Sequence, residues 1–120
     1  VKLTDLQPRW FDVPGVGTDK DGVTFFCPCA RCLGDPEHRT RLAVQFANPV
    51  NGEPKPLVMM RLLAQALQKD HTPEERKNVV PPGFLWTRTG ETFEALTLTP
   101  SVDASPAGHW HGFVTKGEIR

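Results

Sequence analysis

Val23-Thr24-Phe25-Phe26-Cys27-Pro28-Cys29-Ala30-Arg31-Cys32 is the stretch on which the fold turns. Its first part alternates, so Val23, Phe25, Cys27 and Cys29 fall on one side of a strand over 23–29 and Thr24 and Phe26 on the other. Arg41-Leu42-Ala43-Val44-Gln45-Phe46 repeats the pattern with Leu42, Val44 and Phe46 inward. The residues between, 30–40, read as a polar loop. The two runs predict an antiparallel hairpin with the cysteines at its turn.

The chain has three cysteines, and all lie within that stretch. An odd number cannot close into a disulfide framework, and thiols two or three residues apart meet the bridge geometry poorly. Clustered thiols read better as metal ligands in a reducing compartment. Cys29-x-x-Cys32-x-Gly34 has the spacing of a zinc knuckle, in which a tight turn lets thiolates and backbone N–H groups converge. His109-Trp110-His111 lies about 77 residues downstream of Cys32. On a strand, His109 and His111 would share a face with Trp110 opposite. The reading favours Zn²⁺ held by Cys27, Cys29, Cys32 and His111, with His109 as the alternate. Two cysteines with both histidines is the rival set, and His38, in the polar loop, is a further candidate. His71, just ahead of a helix start, reads as surface. Such a metal would pin the closing strand to the first hairpin. Structural zinc supplies about 10–16 kcal/mol in small peptides, against about 5–15 kcal/mol for a whole domain.

Outward from this core, residues 1–20 read as an irregular arm anchored by Leu3, Leu6, Trp10, Phe11 and Val13. Gly15, Gly17, Asp19 and Gly22 read as a flexible turn without a phosphate-loop pattern. Asn48 to Pro54 is a turn cluster. The period then changes: Met59, Met60, Leu63, Ala66 and Leu67 give an amphipathic helix over 56–69, with Pro56 in the first turn. Thr72-Pro73-Glu74-Glu75 is a capping box that starts a short second helix, ended by Pro81-Pro82-Gly83. Residues 84–87, 92–99, 109–115 and 118–120 read as strands, with Lys116-Gly117 as a hairpin turn. Twelve prolines and ten glycines favour short strands and turns over a bundle. The expected fold is α+β and β-rich: small antiparallel sheets tied by a zinc site, with helices at about 55–80, in a single domain over 1–120.

Lys plus Arg and Asp plus Glu both total 14, which argues against a dedicated nucleic-acid binder. No apolar run approaches a membrane span, and the opening Val1-Lys2-Leu3-Thr4-Asp5 lacks the apolar segment of a signal peptide. A cytoplasmic location is expected.

Three blocks carry a family resemblance: Phe46-Ala47-Asn48-Pro49, Trp86 to Ser101 with its Thr89-Gly90-Glu91-Thr92-Phe93-Glu94-Ala95-Leu96-Thr97-Leu98-Thr99-Pro100-Ser101 core, and His109-Trp110-His111-Gly112-Phe113 with Gly117-Glu118-Ile119. With the opening Lys2 to Trp10, they resemble a small uncharacterised family of bacteriophages, prophages and bacterial genomes, some members of which are labelled ammonia monooxygenase. The resemblance leaves out 55–80, which reads as a helical insertion. It implies a metal-binding β-rich domain and no established reaction. Members of that family usually read Cys-Pro-Cys-Gly-Cys, whereas Cys32 comes one residue later. They often carry a cysteine where this chain has Gly108, so Cys32 or His109 takes that coordination place. The monooxygenase label finds no haem motif, no facial triad and no membrane segment in these residues.

Three functions fit these readings. The first is a phage-type zinc-stabilised module that docks on a protein partner through Leu57, Met59, Met60, Leu62, Leu63, Ala66 and Leu67; the plainer reading packs that face on the sheet. The second is a metal-dependent hydrolase using His109 and His111, with Glu118, Glu91 or Asp103 as base. The third is a nucleic-acid-binding zinc module using Arg31, Arg39 and Arg41. A closed four-ligand site favours a structural metal, so the balance leans away from an enzyme. No serine or cysteine triad is legible.

Overall fold

A computed structural model describes residues 1–14 and 20–120. A short 3₁₀ turn at Leu3–Leu6 leads into β1 (Arg9–Phe11) and β2 (Gly22–Phe26). The chain continues through α1 (Ala30–Leu33), a 3₁₀ turn at Pro36–His38 and β3 (Arg41–Phe46). Next come α2 (Met60–Ala66), α3 (Pro73–Lys77), β4 (Val79–Val80), β5 (Leu85–Thr89) and β6 (Thr97–Thr99). β7 (Val102–Asp103), a 3₁₀ turn at Ser105–Ala107, β8 (His111–Gly112), β9 (Val114–Thr115) and β10 (Glu118–Ile119) complete it. The fold is mixed α+β and strand-rich, as expected.

Six strands form the main sheet, in the order β1-β2-β3-β5-β6, with β4 beside the first half of β3. β2 and β3 are the antiparallel hairpin, Val23 opposite Val44 and Phe25 opposite Leu42. β4 and β5 both run parallel to β3, so the sheet is mixed rather than antiparallel throughout. The cause is the helical segment, since parallel neighbours need a long crossover and residues 47–78 supply it.

That crossover also explains why every residue of β3 is buried. Leu42, Val44 and Phe46 join Val23, Phe25, Cys27, Trp86, Leu96 and Leu98 in the larger core. On the other face, Ala43 meets Leu63, Ala66 and Leu67 of the α2 segment together with Phe11, Val13 and Val58. Burying one Leu or Phe side chain contributes about 1.5–3 kcal/mol, so α2 is held mainly by this face.

Two buried polar side chains of β3, Gln45 and Arg41, tie the crossover to the sheet. Gln45 donates to Pro56 O at 2.8 Å, and its Oε1 accepts the Val58 N–H at 2.7 Å. These bonds engage the backbone at 56–58, Met59 is extended, and the helix starts at Met60 and not at Pro56. Arg41 is fully buried. It donates to Thr24 Oγ1 at 3.0 Å, to Thr24 O at 3.1 Å, to Gln7 O, and to Glu75 Oε2 at 3.0 Å. Arg9 meets both Glu75 oxygens at 2.6 Å. Glu75 itself is the returning residue of the Thr72 capping box.

His71 departs from the surface reading, being only 7% exposed. Its Nδ1 faces Lys69 O at 2.8 Å, so that nitrogen carries the proton, and its Nε2 accepts from Thr24 Oγ1 at 2.6 Å. The N-terminal arm differs too: Arg9–Phe11 forms an edge strand, with Trp10 opposite Val23. Strand 92–99 is shorter than expected, since only Thr97–Thr99 pairs. The turn read at Gly15, Gly17 and Asp19 lies outside the described residues.

Candidate metal centre

Cys27 leaves the end of β2, and its N–H donates to Thr40 O at 2.8 Å, which holds the two ends of the hairpin together. Cys29 is the N-cap residue of α1 and Cys32 lies inside that helix. The loop read over 30–40 thus contains one helical turn, and it swings Cys32 back beside Cys27 and Cys29. Gly34 closes the turn by donating to Ala30 O.

The fourth member comes from the far end of the chain. Sγ of Cys27, Cys29 and Cys32 and one ring nitrogen of His109 all lie within 4.8 Å of one another. His109 Nδ1 is 3.5 Å from Cys32 Sγ and 3.9 Å from Cys29 Sγ. A tetrahedral zinc with bonds of about 2.3 Å to sulfur and 2.0–2.1 Å to nitrogen would set S···N at roughly 3.6 Å. The two observed separations bracket that value. The four donors therefore fit a metal ion, and Cys27, Cys29, Cys32 and His109 could hold one.

The backbone is arranged around the sulfurs in the same sense. The Cys29 N–H donates to Cys27 Sγ at 3.5 Å. The Trp110 N–H also reaches Cys27, and the Cys32 N–H reaches Cys29. Such bonds favour thiolate, the form that binds metal. Burial nevertheless pushes the Cys27 thiol up to about 12 against the Cys29 and Trp110 amides. At Cys29, burial also acts upward, but the Cys32 amide, His109 and the other two thiols outweigh it and bring the thiol down to about 6. All three are free thiols.

The favoured fourth ligand of the sequence reading, His111, is not in the cluster; its alternate, His109, is. The reason is that residues 109–111 are not one extended strand. Gly108 adopts a left-handed conformation (φ 78°) after the 3₁₀ turn, and the His109 N–H and Trp110 O both bond to Ala104. Pairing begins only at His111, so the two-residue period does not reach back to His109. Trp110 turns inward, edge-on to Phe25 at 6.2 Å. A Cβ at position 112 would strike its ring, so Gly112 makes room for it. His111 instead points outward, its Nε2 3.0 Å from Ser101 Oγ and its Nδ1 3.9 Å from Asp103.

The remaining candidates are placed as follows. His38 is bound to Asp35 at 3.1 Å. It lines a cavity of about 370 Å³ with Cys32 and His109 without joining the ligand set. Glu91, Asp103 and Glu118 are outside the cluster. Arg31 donates to Gly108 O and sits beside the His109 ring at 3.3 Å. Arg39 lies over Phe26, as does the buried Arg41. Ser101 was not singled out by the sequence reading; its one signal is its place two residues before Asp103 in a short extended run.

Among the described residues, no helix is long and apolar enough to cross a membrane. Comparison with protein-family models, with curated proteins and with solved structures finds no match to this chain.

Proposed function

We propose that this chain is a zinc-stabilised accessory module of the phage-type family it resembles, with a structural metal and a protein-docking face. The observation that carries the metal is the convergence of three thiols and a His109 ring nitrogen within 4.8 Å of one another, with Nδ1 3.5 and 3.9 Å from two of the sulfurs. Four protein donors leave no coordination position for water or substrate, which is the pattern of a structural site. Three reduced thiols used as ligands suit a reducing, cytoplasmic setting.

The docking half of the proposal is supported by how the α2 segment divides. Leu63, Ala66 and Leu67 are buried against the sheet, while Met59 and Met60 are 58% and 67% exposed and Leu62 is at the surface beside them. Methionine is an adaptable contact residue, suited to a partner protein. The hydrolase reading required His109 and His111 to share an ion, and they face different neighbours. The nucleic-acid reading required Arg41, which is buried, and Arg31, which is engaged with Gly108 and His109.

Two measurements test this. Elemental analysis of the purified protein should give one zinc per chain, with melting lowered by more than about 15 °C on chelation and restored by zinc. Stoichiometric protein without metal and with unchanged melting would overturn it. Met59→Glu with Met60→Glu should leave melting within about 2 °C of the parent, as for surface substitutions generally. A large fall would assign that face to folding instead.

A further inference from the structure

The β7–β8 hairpin carries a second constellation that the metal does not use. Val102 pairs with Gly112 and Asp103 with His111. Continuing the ladder by one residue sets Ser101 opposite Phe113. Val102 and Gly112 are buried, so alternation sends Ser101, Asp103, His111 and Phe113 to the outer face together. His111 has Asp103 directly across from it and Ser101 on the diagonal.

The contacts follow the order of an activated nucleophile. Ser101 Oγ is 3.0 Å from His111 Nε2, and His111 Nδ1 is 3.9 Å from Asp103 Oδ1. At 3.9 Å the carboxylate is too far for a hydrogen bond but close enough to act on the ring through its charge, and in the tautomer that carries its proton on Nδ1 the 3.0 Å contact lets Nε2 take the serine proton. Asp103 is itself fixed, accepting the Ser105 N–H at 2.9 Å and the Ser105 hydroxyl at 2.6 Å. The serine backbone is fixed by Trp86, whose Nε1 donates to Ser101 O at 3.3 Å. Trp86 stacks on Phe84 at 3.9 Å. Phe84, stacked on Trp86, and Phe113, opposite Ser101 along the ladder, are large exposed apolar side chains on this part of the surface.

We infer that Ser101, His111 and Asp103 form an acyl-transfer site for carboxylic esters or thioesters with an apolar acyl group. Ser101 Oγ attacks the acyl carbonyl as its proton passes to His111 Nε2. The tetrahedral adduct collapses, the bond to the leaving alcohol or thiol breaks, and that group takes the proton from His111. Water then attacks the acyl-serine in the same manner, releasing the acid and restoring the hydroxyl. Asp103 is a positioning residue whose charge, 3.9 Å from Nδ1, stabilises the imidazolium that forms.

The test uses the full zinc-loaded chain. It is treated with a fluorophosphonate probe, digested and mapped by mass spectrometry, and its hydrolysis of p-nitrophenyl butyrate is followed in parallel. A positioned general base gives about 10²–10⁴-fold, so Ser101 should be labelled at least about 10²-fold faster than in His111→Gln. Ser101→Ala should keep its melting point and lose both the adduct and the hydrolysis. Asp103→Asn should lower kcat with KM little changed, and Asp103→Glu should recover part of kcat. The proposal is overturned if Ser101 carries no adduct above the His111→Gln level, or if Ser101→Ala hydrolyses the ester at the parent rate.

Discussion

Replacing Glu75 by Gln isolates the ionic share of what holds the α3 end of the crossover to the sheet. The carboxylate takes both Arg9 contacts at 2.6 Å, the Arg41 contact at 3.0 Å and the Thr72 N–H at 2.8 Å. Arg41 is fully buried, and Glu75 is the only anion it meets among the described residues. Gln keeps the shape and one acceptor but turns an N–H₂ toward a guanidinium and removes the countercharge. Stripping one partner from a buried pair costs about 3–5 kcal/mol. Thr24 and Gln7 still accept from Arg41, which places the loss at the lower end, about 3 kcal/mol. For a domain of this size each kcal/mol moves the melting point by about 4 °C, so Glu75→Gln should melt about 12 °C lower by calorimetry in zinc-containing buffer. Arg9→Ala, at the more exposed end of the network, should cost about 1 kcal/mol or less. A fall below about 3 °C for Glu75→Gln would show that the network behaves as a solvated surface pair and does not anchor α3.

Four ligands sharing about 10–16 kcal/mol give roughly 3 kcal/mol each, so His109→Ala should weaken zinc binding by about 10²-fold, while His111→Ala should leave it unchanged in competition titrations with a chromogenic chelator. Acid should destabilise the fold in two steps. Burial holds His71 below its ordinary value with help from Arg41 and against Lys69 O, so its contribution is whole above about pH 6.5 and declines below it. Burial acts to raise the Glu75 carboxyl, but the Thr72 amide, Arg9 and Arg41 outweigh it, so its contribution is lost further down, below about pH 4.5. Between pH 7 and 5.5 the melting point of wild type should fall more steeply than that of His71→Gln; parallel curves would exclude His71. Gly117 has φ 74° in the β9–β10 turn, and a Cβ there would lie 2.6 Å from Glu94 O. Gly117→Ala should therefore cost about 2–3 kcal/mol, whereas Gly83→Ala, with open space around it, should be neutral in the same melts.

The hairpin was legible because its alternation is strict: Val23 and Phe25 face the core with Leu42, Val44 and Phe46, as the two-residue period requires. The Thr72 capping box and the Lys116-Gly117 turn were legible because each depends on residues within a few positions. What escaped depended on distant partners. Gln45 delays the helix to Met60 by binding the backbone at 56–58, and nothing local to Pro56 signals it. His71 is buried by the pairing of Thr24 with Arg41, two strands away. The parallel placement of β4 and β5 follows from where the crossover lands, which no local period encodes. At the candidate site, the three thiols were evident from spacing, but the choice of histidine turned on Gly108 breaking the strand just before His109. The Ser101–His111–Asp103 grouping needed the register of two strands of two residues each.

X-ray absorption at the zinc edge of the purified protein reads the ligand set itself. Cys27, Cys29, Cys32 and His109 should give three sulfur neighbours at about 2.3 Å and a single imidazole nitrogen at about 2.0–2.1 Å, with the nitrogen shell lost in His109→Ala and retained in His111→Ala. A shell of two sulfurs and two nitrogens, a bound water oxygen in the fourth position, or protein that takes up no zinc would contradict it.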